Sequence, residues 1–142
     1  MKVRRATKKD IPDIINIWNE TSLKIRNKGR DHPEALEKQL QQPNMWILVS
    51  QIQEEIVGVV LVTHDSRKGW INRLAVKPNK RRKGIGLKLL AAAEKSLEKL
   101  GIKVYSALIL EENEVSKKLF EKAGYNYSQR INYFSKKENP DA

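Results

Sequence analysis

The sequence predicts a single α/β domain in which a mixed sheet is flanked by helices. Three observations carry that expectation. Three β-rich runs, at 46–52, 56–62 and 70–76, succeed one another across short polar turns. The last of them ends in Leu74, Ala75 and Val76 and passes through a basic glycine loop into an amphipathic helical pattern. A chain of 142 residues can bury a sizeable core without metal or disulfide support, and leaves little for a second domain. We draw the domain at 1–136 and read 137–142 as a frayed tail.

In chain order, 2–6 reads as a short strand. Thr7 and Asp10 form a capping pair before Ile11, Ile14 and Trp18 at helical spacing, and the helix is expected to reach about Lys24. A polar loop, 27–33, carries Asp31 and His32, and Pro33 opens a second helix that Pro43 and Asn44 stop. The runs 46–52 and 56–62 make a hairpin around Gln53, Glu54 and Glu55, with Trp46 and Trp70 as sheet or core residues. The turn 64–69 leads to the fourth strand, 70–76, which Pro78 prevents from continuing. A helix from about Ile85 places Leu90, Ala93, Leu97 and Leu100 on one face, with Gly101 as its C-cap. The run 103–110 is apolar on both parities and is expected to be a central strand. A last helix spans 114–122, Gly124 ends it, and short strands are expected at 125–128 and 131–135.

Composition narrows the function. The absence of cysteine removes disulfides, thiolate metal sites and a cysteine nucleophile. No long apolar run and no signal-like start is seen, so the expectation is a soluble, cytoplasmic protein with no membrane partner. The net charge of +11, from 28 Lys+Arg against 17 Asp+Glu, admits a nucleic-acid partner or an acidic ligand. Its distribution favours the ligand, because Lys77, Lys80, Arg81, Arg82, Lys83 and Lys88 form a cluster free of acids in sequence, whereas the helices mix both signs.

The segment Arg81-Arg82-Lys83-Gly84-Ile85-Gly86 is the most informative in the chain. Gly84 and Gly86 remove the Cβ atoms that would block a close approach, and the helix opening at Ile85 offers unpaired N–H donors and the positive end of its dipole. Such a loop suits a phosphate anion. It is not a Walker loop, because one residue separates the glycines and Leu87-Lys88 come next. Nor is it a dinucleotide fingerprint, whose third glycine would fall at Leu89.

Together with the order of elements, that loop resembles the Arg/Gln-x-x-Gly-x-Gly/Ala motif of the GNAT acetyltransferase superfamily, and the likeness extends over nearly the whole chain. A second match is Asn113 with Ser116, Leu119, Phe120 and Gly124-Tyr125, similar to the Asn-containing turn and helix that border the thiol end of that family's cofactor. The resemblance implies the acyl-CoA N-acyltransferase fold, with a mostly antiparallel sheet, and acetyl-CoA as co-substrate. It places the pyrophosphate on Arg81, Arg82, Lys83, Gly84, Ile85 and Gly86, the pantetheine arm along Leu74, Ala75 and Val76 where two strands splay, and the thiol end near Asn113, Ser116 and Phe120. No metal is implied.

Acyl transfer to an amine asks for a base, a donor to the carbonyl oxygen and a proton for the departing thiolate. Backbone N–H groups freed at a strand irregularity near Leu74 or Ala75 suit the oxygen. Many relatives place a tyrosine acid where this chain has Phe120, and a phenyl ring has no proton to give. Tyr125, Tyr127 and Tyr133 are the substitutes. Relatives that modify protein N-termini often carry a glutamate five positions before the Asn, where Leu108 stands. The candidates for the base are Glu111, Glu112, His64, Asp65 and Asn72 through a water, while Asp31 and His32 suit acceptor contacts. The expectation is an N-acetyltransferase acting on a primary amine, small molecule or peptide, by direct transfer. A homodimer is compatible with it. The alternatives are an acyl-CoA sensor without catalysis and a basic nucleic-acid-binding module.

Overall fold

The computed structural model describes residues 1–21 and 23–142. Five strands form one sheet in the order β1 (Lys2–Arg5), β2 (Met45–Ile52), β3 (Glu55–His64), β4 (Gly69–Val76) and β5 (Tyr105–Ser106). The first four are antiparallel neighbours, and β5 joins β4 in parallel. Helices α1 (Ile11–Glu20) and α2 (Pro33–Gln39) cover one face, and α3 (Ile85–Glu98) with α4 (Glu114–Lys122) covers the other. Each face has its own core. Ile14, Ile17, Trp18 and Leu36 pack on Ile47 and Val49, while Leu89, Leu90, Leu97 and Phe120 pack with Trp46 and Leu48, so alternate residues of β2 serve opposite layers.

The predicted capping pair forms at the head of α1. The Thr7 N–H donates to Asp10 Oδ2 at 2.8 Å, and Arg4 closes a two-pronged ion pair on the same carboxylate at 2.8 and 2.9 Å. Arg4 holds the Asp10 carboxyl below the usual range. No helix among the described residues is long and apolar enough to cross a membrane.

Several expectations are corrected. The first helix ends at Glu20, where the Thr21 hydroxyl turns back onto the carbonyls of Ile17 and Trp18. The run 103–110 is not a central strand. Only Tyr105 and Ser106 pair, at the edge of the sheet, and Val104, Leu108 and Leu110 are exposed. Its apolar residues on both parities instead divide between the core, which takes Ala107 and Ile109, and a groove that Leu110 lines. The strands expected at 125–128 and 131–135 are irregular backbone with Tyr127, Ile131, Tyr133 and Phe134 exposed, since β-propensity yields no ladder without a pairing edge. The residues at the end of the chain meet the α1–α2 loop: a Cβ at Gly29 would collide with the Asp141 carbonyl oxygen.

Between Val59↔Ala75 and Leu61↔Asn72 the β3–β4 register shifts, with one more residue on β4 than on β3. The bulge falls at Arg73, whose φ of 52° lies in the left-handed region. It reverses the facing of the remainder of the strand: Ile71 before it and Leu74 and Val76 after it all serve the α3 layer, and Ala75 serves the α1 layer.

Candidate active site

Because β4 and β5 pair only at Gly69↔Tyr105 and Trp70↔Ser106, the chains diverge beyond that point. Asn72 Oδ1 accepts from the Leu108 N–H at 2.9 Å and bridges the start of the gap, so the side chain considered as a water-borne base is already engaged. A groove of about 800 Å³ opens past it. Leu74, Ala75 and Val76 form one wall, Leu110, Glu112 and Asn113 the other, and Gly84, Ile85 and Gly86 its end.

That end is ready for an anion. The first α3 hydrogen bond runs from Lys88 N–H to the Gly84 carbonyl at 3.1 Å, which leaves the N–H groups of Ile85, Gly86 and Leu87 without helical partners. Gly84 caps the helix at φ 76°, a conformation costly for any residue with a Cβ. Gly86 is small for a different reason. A Cβ there would meet Leu119 Cδ1 at 3.1 Å and Leu74 Cδ2 at 3.6 Å, so its hydrogen leaves room in the groove floor. Arg81 and Arg82 line the groove, and Arg81 Nε also donates to the Val76 carbonyl at 3.3 Å. The basic cluster is not free of acids in space: Glu55 from the neighbouring strand pairs with Lys77 at 3.0 Å and Lys80 at 3.9 Å. The groove end therefore draws its positive field from Arg81, Arg82 and the helix dipole.

Ten of the expected cofactor residues are brought together here: Leu74, Ala75, Val76, Arg81, Arg82, Gly84, Ile85, Gly86, Asn113 and Ser116. Asn113 caps α4 through a hydrogen bond from the Ser116 N–H at 3.1 Å. Lys83 and Phe120 do not line the groove; Phe120 is buried against Tyr125 with ring centroids 5.0 Å apart. Residues that sequence reasoning missed include Thr21, Leu23, Leu87, Val115 and Lys122. Nothing in local sequence marks Thr21 and Leu23, which lie just beyond the C-terminal end of α1.

Of the acid and base candidates, only Glu112 lines the groove, and it is held by Lys24 at 3.3 Å. Its own backbone and then Lys24 keep its carboxyl below the ordinary range. Glu111 is exposed outside the groove, as are Tyr127 and Tyr133. Tyr125 donates its hydroxyl to Glu94 at 2.8 Å, and burial, then that bond, pushes its ionisation upward. His64 and Asp65 build their turn, accepting backbone N–H groups from Ser66, Arg67 and Lys68. His32 caps α2 through the Glu34 N–H at 3.2 Å. Asp31, expected to touch an acceptor, is buried and holds Arg73 and the Arg26 N–H.

A phosphate-ready helix end, a bulged strand and an Asn-capped helix bordering one groove agree with the family model for acetyltransferases of the GNAT family, which matches residues 11–125. The chain belongs to this family. Its members use acetyl-CoA as co-substrate. An acetyltransferase of Photorhabdus laumondii is 28% identical over 125 residues, covering 88% of this chain and 86% of that one. Among solved structures, the PaiA N-acetyltransferase of Thermoplasma acidophilum in complex with coenzyme A superposes with a TM-score of 0.81 at 20% identity, covering 89% of this chain and 90% of that one. An aminoglycoside acetyltransferase from an uncultured soil metagenomic sample, in complex with sisomicin, gives a TM-score of 0.76 at 20% identity over 97% and 96% of the two chains.

Proposed function

We propose that this GNAT protein is an acetyl-CoA-dependent N-acetyltransferase that moves the acetyl group directly onto a primary amine in a ternary complex. The observation that carries the reading is the continuity of one groove from the open N-terminus of α3 to the bulged end of β4. Ile85, Gly86 and Leu87 would hold the pyrophosphate by their N–H groups, and Leu74, Ala75 and Val76 would flank the extended arm. That alignment brings the thioester to the bulge, where a backbone N–H can donate to the carbonyl oxygen as it gains charge. A covalent relay is disfavoured by the lack of cysteine.

The test is a panel of amines, including an aminoglycoside, an amino acid, a polyamine and peptides with free N-termini or lysines, assayed with acetyl-CoA by thiol release. Acetylation of at least one, confirmed by mass, is expected. Acetyl-CoA binding without any transfer would favour the sensor reading, which the absence of tyrosine from the groove lining among the described residues keeps in play. Tight oligonucleotide binding that survives physiological salt would favour the nucleic-acid reading, since such contacts weaken steeply with salt.

A further inference from the structure

We propose that Arg73 is a positioning residue for acyl transfer, fixing the bulge of β4 and the loop between α1 and α2 through one buried clamp. The proposal rests on the acetyltransferase reading of the groove. A left-handed backbone at a strand bulge is glycine's natural place, yet the chain puts an arginine there and holds it from three sides. Its guanidinium is paired with Asp31, with only 16% and 5% of the two side chains exposed. The same guanidinium lies 4.9 Å from the centre of the Trp18 ring, and Trp18 Nε1 donates to the Arg73 carbonyl at 3.3 Å. Trp18 is fully buried, so the bulge is tied to the core of the α1 layer.

The clamp reaches both sides of the groove. Leu74 and Ala75, next along β4, line it, so the direction of their N–H groups depends on how Arg73 is held. On the far side of the ion pair, Asp31 also accepts the Arg26 N–H, fixing the loop whose first residues, Thr21 and Leu23, line the same groove. A buried pair of this kind contributes little net stability, because desolvation offsets its attraction. Its effect is geometric. A donor displaced by about 1 Å from a reacting oxygen costs on the order of 10²-fold in rate.

Arg73→Gly separates this role from a structural one, because glycine accepts the backbone angle while removing the guanidinium's holds on Asp31 and the Trp18 ring and leaving only the Trp18 bond to the main-chain carbonyl. It should fold, bind CoA within about twofold of wild type and lose about 10²-fold in kcat. Arg73→Lys keeps the charge but not the planar fork, and should lose about tenfold in kcat at unchanged CoA affinity. Adding Asp31→Asn to Arg73→Gly should cost no further activity, since asparagine still accepts the Arg26 N–H and the change removes a carboxylate left buried without its cation. A second readout needs no acceptor: the amide ¹H and ¹⁵N signals of Leu74 or Ala75 should move with acetyl-CoA beyond their movement with CoA, and should do so less in either Arg73 variant. Wild-type kcat in Arg73→Lys, equal losses of kcat and CoA affinity in both variants, or unchanged acetyl-dependent amide shifts would overturn the proposal. Failure of wild-type protein to acetylate any amine would count against the proposed activity instead, and the amide signals would still decide the role of Arg73.

Discussion

The two ends of the groove are built on different plans. The anion end is local: strand, loop and helix succeed one another from Leu74 to Leu87, and each group acts through the backbone next to it. The opposite end is assembled from distant pieces, with Asp31 held by Arg73 and Lys24 by Glu112. A contiguous site can be disabled by one atom in the wrong place. A dispersed one depends on the frame that carries it, so a buried contact that fixes the frame, as Arg73 with Asp31, counts for more than an exposed one, as Lys24 with Glu112.

The sharpest way to break the contrast is Gly86→Val. Its Cβ would stand 3.1 Å from Leu119, and the added methyl groups would enter the groove floor. Overpacking of about 1–3 kcal/mol corresponds to a loss of roughly 10-fold to 10²-fold in acetyl-CoA affinity, with folding retained. Calorimetry showing unchanged affinity in the folded variant would mean that the local end is not the phosphate end.

Phe120→Tyr tests whether a group near the groove but outside it can contribute chemistry. Phe120 is 4% exposed and packed edge-on against Tyr125, so a new hydroxyl must be buried. The expected result is a stability loss of about 1–3 kcal/mol and no gain in kcat. A substantial rise in kcat would show that position 120 does reach the departing thiolate.

Acid addresses the frame of the dispersed end, since α1 leads into the loop that carries Asp31. The Asp10 carboxyl has a lower pKa folded than unfolded, because Arg4 binds its charged form. The unfolded chain therefore takes up the proton first, and the contribution of this pair is complete above the ordinary carboxylate range and fades as pH falls through the folded value. Asp10→Asn should cost about 2 kcal/mol near neutrality and much less in strong acid, read as denaturant midpoints against pH. An equal loss at both extremes would remove the charge from the explanation. The smallest effect is expected at Lys24 and Glu112, whose side chains are 66% and 64% exposed. Glu112→Gln should leave the denaturant midpoint unchanged, and a clear shift would make this pair part of the frame.

The same division decides what can be read from the sequence. Gly84 and Gly86 announce the anion end because a helix start, a missing Cβ and a preceding strand are all visible within a few residues. The hairpin of β2 and β3 and the amphipathic face of α3 are legible for the same reason. The bulge leaves no mark in the local sequence and is expected near Leu74 or Ala75 only through the family resemblance, since Arg73 carries no turn signal and its partners Trp18 and Asp31 are 55 and 42 residues away. Asp31 looks like a loop residue free to meet an acceptor, because a partner so remote leaves no local mark. The run 103–110 misleads through composition, as residues divided between a core and a groove are apolar on both parities just as a central strand is.

The brevity of the β4–β5 ladder has one more consequence. Paired strands lie about 4.8 Å apart, too close for a third chain to pass between them. Here pairing stops after Trp70 and Ser106, and the sheet is left one row short. An extended molecule with amides of its own can occupy that row as a guest strand. Recognition of that kind reads the spacing of amides and carbonyls more than the identity of side chains, so Leu74 and Val76 can serve the core of the α3 layer while their backbone faces the groove.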